Sequence, residues 1–263
     1  MAHMDGFTYG WMNPVLAYLV ACVAAALGLR CTVRALDLPR ERRRGWLLLA
    51  ASTIGCGIWT MHFIAMMGFS VTGASIDYSI PLTLASLVVA ILVVGFGVFY
   101  VGYREPSVLS LLVGGTMTGL GVAVMHYLGM AAMEVGGSVH YNPAIVGASV
   151  AIAVFAATAA LWMTLNIRRM WASAVAAAVA GVAVCAMHYT AMLAVSVRLD
   201  PDLTASGSPA SDFILPVAIG IVVFLFIVAI VVVMSPEVGY DREPFDPAPA
   251  ERITVTLFDG RIR

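Results

Sequence analysis

The chain has 263 residues, 14 basic and 15 acidic, and 61% of it is hydrophobic. Only 11% of residues carry charge, against about 25% in a soluble domain, and the mean hydropathy is +0.95. Such sparse charge excludes a soluble enzyme, a disordered chain and a nucleic-acid binder, which needs a basic patch for phosphates; an integral membrane protein in contact with the lipid bilayer remains.

A membrane-spanning helix needs about 20 apolar residues. Seven runs qualify: 14–33, 46–69, 80–101, 108–133, 144–166, 171–197 and 213–234. Residues 1–13 lack a positive charge and an A-x-A cleavage site, so the first run reads as a retained helix and not a signal peptide. Residues 12–200 form a six-helix membrane unit. An outer loop (201–212), a seventh spanning helix (213–234) and a short tail (235–263) follow it. The tail is rich in proline and ends in an alternating stretch, Ile253 to Leu257, that suits a short strand or a docking peptide. The fold class is therefore all-α, integral to the membrane, with seven transmembrane helices.

Every basic residue is arginine. The first connection holds Arg34, Arg40, Arg42, Arg43 and Arg44, with Arg30 just before it. Arg104, Arg168, Arg169, Arg242, Arg252, Arg261 and Arg263 fall on the same side, and Arg198 alone falls on the other. By the positive-inside rule the N-terminus is outside and the tail is cytoplasmic. Cys22, Cys31, Cys56 and Cys185 match neither a CxxC site nor a disulfide framework, and read as small buried hydrophobes.

An internal two-helix repeat carries the chemistry. The second helix reads Met61-His62-Phe63-Ile64-Ala65-Met66, the fourth Met125-His126-Tyr127-Leu128-Gly129-Met130, and the sixth Met187-His188-Tyr189-Thr190-Ala191-Met192. The histidines are 64 and 62 residues apart. Gly55, Gly119 and Gly181 each lie seven residues before a histidine, where a missing side chain lets helices approach closely. Residues i and i+4 share a helix face, so each histidine projects with a methionine: His62 with Met66, His126 with Met130, His188 with Met192. The spans place each histidine 7–10 residues from the outer helix end, or about 10–15 Å deep.

Ionisable groups inside a membrane are costly and point to function. Three in one frame at matched depth predict a metal site. Thioethers favour Cu(I), while imidazole also suits Cu(II), zinc and haem iron. Zinc more often recruits cysteine or carboxylate. Three equivalent histidines exceed the two axial positions of one haem, so copper is favoured and haem is the alternative. Cys185, three residues before His188, reads as packing ahead of an extra ligand. Met61, Met125 and Met187 flank the histidines as further ligand candidates. Tyr127 and Tyr189 are placed either to hydrogen-bond a ligand or orient an imidazole, a role closed to Phe63, or to pack as aromatics under the outer interface. Asp77 and Glu134 read as solvated loop charges at the outer mouth.

The three motifs resemble the MHYT family of bacterial integral membrane sensors. Met187-His188-Tyr189-Thr190 matches the family tetrapeptide in full; the second motif departs at Leu128, the first at Phe63 and Ile64. The resemblance covers residues 12–200 and implies a multi-pass protein of the bacterial cytoplasmic membrane. It implies copper binding by Met61, His62, Met66, Met125, His126, Tyr127, Met130, Met187, His188, Tyr189 and Met192. It also implies sensing of a diatomic gas: oxygen, carbon monoxide or nitric oxide. Many relatives carry cytoplasmic output domains and this sequence contains none, so the expected output passes to a separate signalling protein. Three further readings compete: copper delivery to a respiratory complex, a haem-binding redox protein, and a structural membrane partner without a cofactor. Catalysis is not expected, since no nucleophile–base pair, phosphate-binding loop or paired intramembrane carboxylates are present.

Overall fold

The computed structural model describes residues 4–5, 8–105, 107–166, 170–200 and 207–235. Among them are seven long helices: α1 (Met12–Asp37), α2 (Arg43–Met66), α3 (Ile80–Tyr103), α4 (Val108–Ala131), α5 (Pro143–Asn166), α6 (Met170–Met192) and α7 (Ile214–Met234). All seven have the length and apolarity to cross a membrane, and large apolar side chains such as Leu92, Phe155 and Phe226 face outward, as lipid contact requires. The chain is a multi-pass membrane protein. Pro81 and Pro143 sit in the first turns of α3 and α5, where a missing N–H costs nothing.

The described arginines other than Arg198 gather at one end of the bundle, and Arg34 and Arg43 close helix ends there. Arg34 Nη2 donates to Val232 O and Ser235 O, both at 2.9 Å. Arg43 donates to Leu38 O at 2.9 Å and Gly102 O at 2.6 Å. These cations satisfy carbonyls orphaned at the C-terminal ends of α7, α1 and α3 and oppose the negative ends of their dipoles. Arg198 lies at the opposite end, which agrees with an outer N-terminus. Arg168, Arg169 and the tail from residue 236 lie outside the described residues.

Helices α1 to α6 form a ring. Each packs against the next, α6 closes on α1, and α7 lies outside against α1 and α2. The three glycines sit where the ring is tightest. A Cβ on Gly55 would lie 2.7 Å from Ile91 Cα of α3. One on Gly119 would lie 2.7 Å from Ala153 O of α5, and one on Gly181 would lie 2.6 Å from Cys22 Sγ of α1. So α1 occupies, beside α6, the place that α3 and α5 occupy beside α2 and α4.

The outer ends differ from the sequence reading. Helices α2, α4 and α6 stop three, two and five residues before the expected positions, at Met66, Ala131 and Met192. The chain beyond them turns into strands: β1 (Met4–Asp5), β2 (Ser70–Val71), β3 (Ile76–Tyr78), β4 (Met133–Val135), β5 (Gly137–Tyr141), β6 (Val195–Leu199) and β7 (Ser208–Pro209). All pair antiparallel: β1 with β2, β3 with β4 and β7, and β5 with β6. Each strand after an even helix thus pairs with the strand before the preceding odd helix, tying off one helix hairpin per repeat. Val71, Met133, Val135, Val195 and Val197 point inward and are buried. Their valines and methionine run on directly from the apolar helices, so these segments read as helix continuations despite their period-two alternation.

Candidate metal centre

Because α2, α4 and α6 alternate around the ring, their equivalent faces meet on its axis. His62, His126 and His188 converge there, at 1%, 0% and 1% exposure. One ring nitrogen from each lies within 4.8 Å of the other two. His62 Nδ1 is 3.1 Å from His188 Nδ1 and 3.1 Å from His126 Nδ1. The rings stand 77–80° to one another with centroids 4.8–5.2 Å apart, a three-bladed propeller. They are four or five residues from their helix ends, closer than the expected 7–10, since the strands supply the outermost cover.

Hydrogen bonding among the imidazoles does not satisfy this cluster. Each neutral ring carries one proton. A proton on His62 Nδ1 serves one of its two short contacts well, and protons on both neighbours compete for one lone pair. His62 Nε2 and His126 Nε2 are buried with no hydrogen-bond partner. A cation at the centre would instead receive a lone pair from each Nδ1. Three nitrogens about 2.0 Å from an ion lie about 3.3–3.5 Å apart, close to the 3.1 Å of the two contacts that His62 makes, so the donor set fits a metal ion.

The surroundings repeat three-fold. Phe63 lies edge-on against His62 (4.7 Å, 81°), Tyr127 against His126 (4.9 Å, 87°) and Tyr189 against His188 (5.0 Å, 83°). An aromatic face is what the position needs, so phenylalanine suffices in the first repeat. The Tyr127 hydroxyl is engaged elsewhere, 2.8 Å from Ser149 Oγ on α5; it ties α4 to α5 and does not orient an imidazole. Met61, Met66, Met125, Met130 and Met187 are buried and Met192 is half-buried. Met66, Met125, Met130 and Met187 share one apolar cluster with Trp59 and Phe63. Cys185 packs with Ala17, Ala21 and Met61 toward α1 and is not part of the converging group.

Tyr78 from β3 packs edge-on against Phe63 (5.9 Å, 71°), where burial raises its phenol pKa above the ordinary value. Asp77 and Glu134 face each other across β3 and β4, on the side away from the buried Tyr78 and Met133.

Three contributors escaped the sequence reading. Gly129 adjoins His62: a Cβ there would lie 2.5 Å from Nε2 and 3.0 Å from Cδ2. The signal was available, because Ala65, Gly129 and Ala191 put a small residue three positions after each histidine. Asn13 Nδ2 donates to Ile64 O at 2.9 Å, and Ser149 anchors Tyr127. Nothing in their local sequence marks either as a partner.

Three segments, 55–114, 119–177 and 181–242, match the MHYT family, described as a bacterial signalling protein N-terminal repeat. The chain belongs to the MHYT family. Each matched segment starts at one of the three packing glycines, and the third runs through α7. The chain is 33% identical over 233 residues to the bifunctional diguanylate cyclase/cyclic di-GMP phosphodiesterase MucR of Pseudomonas aeruginosa, covering 87% of this chain and 34% of that protein. It is 33% identical over 205 residues to the cyclic di-GMP phosphodiesterase NbdA of the same organism, covering 73% and 26%. It is 25% identical over 224 residues to the signaling protein YkoW of Bacillus subtilis, covering 82% and 28%. The chain thus spans about a third or less of these relatives. No solved structure matches it. This MHYT chain is a membrane sensor domain of the kind found in signalling proteins.

Proposed function

We propose that the three Nδ1 atoms of His62, His126 and His188 hold a copper ion, and that a diatomic gas or a redox change at this ion is the sensed signal. The convergence of three imidazoles on the pseudo-three-fold axis carries this reading. Three neutral ligands leave the ion's whole charge inside the membrane, and the cost of burying charge rises steeply with its magnitude. A monovalent soft ion is the least costly choice, and the methionine-rich surroundings suit it. Such an ion with three nitrogen ligands keeps a position open for oxygen, carbon monoxide or nitric oxide.

The protein's own part is mechanical. The histidines tie together α2, α4 and α6, so their spacing sets how the ring packs. Helices α1 and α2 also contact α7, and Arg34 joins α1 to the end of α7. A change at the centre therefore has a physical route to the cytoplasmic end, where an output partner would read it. This requires different signal affinities in two packings. Two of the relatives, MucR and NbdA, are named as enzymes of cyclic di-GMP turnover, and the same class of output is proposed here.

Full burial beneath the strand cap disfavours rapid hand-over to a respiratory complex. Haem is disfavoured because its axial ligands must flank a flat macrocycle, and Nδ1 atoms 3.1 Å apart leave no slot for one. Metal analysis of the detergent-purified chain should find about one copper per chain, and carbon monoxide added anaerobically should perturb it. A metal-free protein that keeps its fold and its response overturns the proposal.

A further inference from the structure

The ring holds a second feature that the histidines do not use. On their cytoplasmic side lies a cavity of about 120 Å³, lined by all six ring helices and not by α7. Its wall follows α6 from Ala176 to Met187, about 17 Å at 1.5 Å per residue. The upper end therefore reaches the residue just before His188. The lower end includes Thr164, two residues from the cytoplasmic end of α5. Much of the wall is alanine, including Ala24, Ala157 and Ala180, whose methyl groups are too short to fill the axis.

The lining determines what can occupy the space. Thr118 and Thr164 are its hydroxyl-bearing residues, and both hydroxyls donate to helix carbonyls, Val93 O at 3.5 Å and Ala160 O at 2.8 Å. A buried water needs two to four polar partners, which this wall does not offer. The pocket is partly open and not sealed, but a wall this apolar holds water poorly and accepts apolar guests such as xenon or benzene. The outer side of the histidines is covered by the inward valines and methionine of the strands, whereas on the inner side the cavity extends as far as Met187, the residue before His188.

We propose that this cavity is a binding site for a small, neutral, apolar molecule of the size of dioxygen or xenon, held on the cytoplasmic side of the three histidines. Its part in sensing rests on the copper reading above, but its occupancy does not.

The test is crystals of the full chain pressurised with xenon, read by anomalous scattering, beside two cavity-filling variants, Ala180→Leu and Ala157→Ile. Xenon should appear between α5 and α6 in the wild type and be lost in at least one correctly folded variant, with copper content unchanged in both. An unoccupied wild-type cavity, ordered water, or the density of a lipid chain overturns the proposal, as does xenon that persists in both variants. Xenon in a protein that binds no copper leaves the cavity standing and removes the copper reading. Copper without xenon does the reverse.

Discussion

Gly129→Ala is the sharpest test of the histidine geometry, because it leaves every proposed ligand in place. The new Cβ would stand 2.5 Å from His62 Nε2, where ordinary contact begins at 3.4 Å, so the ring or the helix must yield by about 0.9 Å. His62 is the middle member, with short contacts to both other histidines, and it cannot retreat without losing one. Metal–ligand distances tolerate only about 0.2 Å. The expected result is a copper affinity lower by about 10–100-fold, equivalent to about 1.4–2.8 kcal/mol. Overpacking should also lower the stability of the metal-free protein by about 1–3 kcal/mol. A Cu(I) competition titration against a chromophoric chelator reads the first effect and thermal unfolding in detergent reads the second. Gly147→Ala is the control, since a Cβ there meets nothing within 4 Å. Wild-type affinity in Gly129→Ala, in a protein that loses copper on His126→Ala, would refute the arrangement described here.

Other substitutions probe separate links. His126→Ala should reduce copper content more than about tenfold, measured by elemental analysis. Gly55→Ala and Gly119→Ala drive a methyl group into backbone of the next helix and should each cost about 1–3 kcal/mol. Gly181→Ala first meets the movable Cys22 side chain and should cost about 1 kcal/mol; thermal melts rank the three. Tyr127→Phe should lose about 1 kcal/mol with its Ser149 hydrogen bond while copper content stays at the wild-type value. Arg34→Gln removes the charged cap of α7, worth about 1–2 kcal/mol, so amide exchange at Val232–Ser235 should accelerate about 5–30-fold.

Much of this protein was legible because the membrane simplifies the code. Backbone groups in lipid must pair within a helix, so apolar length alone located seven spans, and thirteen arginines on one side oriented them. The histidines stood out because few other intramembrane side chains can ionise. The outer strands were not legible: Val195-Ser-Val197-Arg-Leu199 alternates as a strand does, yet adjoins an apolar helix with no proline or glycine to part them.

The sequence by itself determined the helices, the orientation, the repeat and the three positions where chemistry could lie, since all of these follow from local composition and spacing. Tertiary structure decided that the three positions are one site. Residues 64 and 62 apart meet only because the ring places α2, α4 and α6 alternately about one axis, with α1 closing on α6. It also decided that the Tyr127 hydroxyl turns to Ser149, that Gly129 makes room for His62, and that the alanine faces leave an apolar cavity beneath the triad. Each of these depends on which helix faces come together, and no one helix encodes its neighbour.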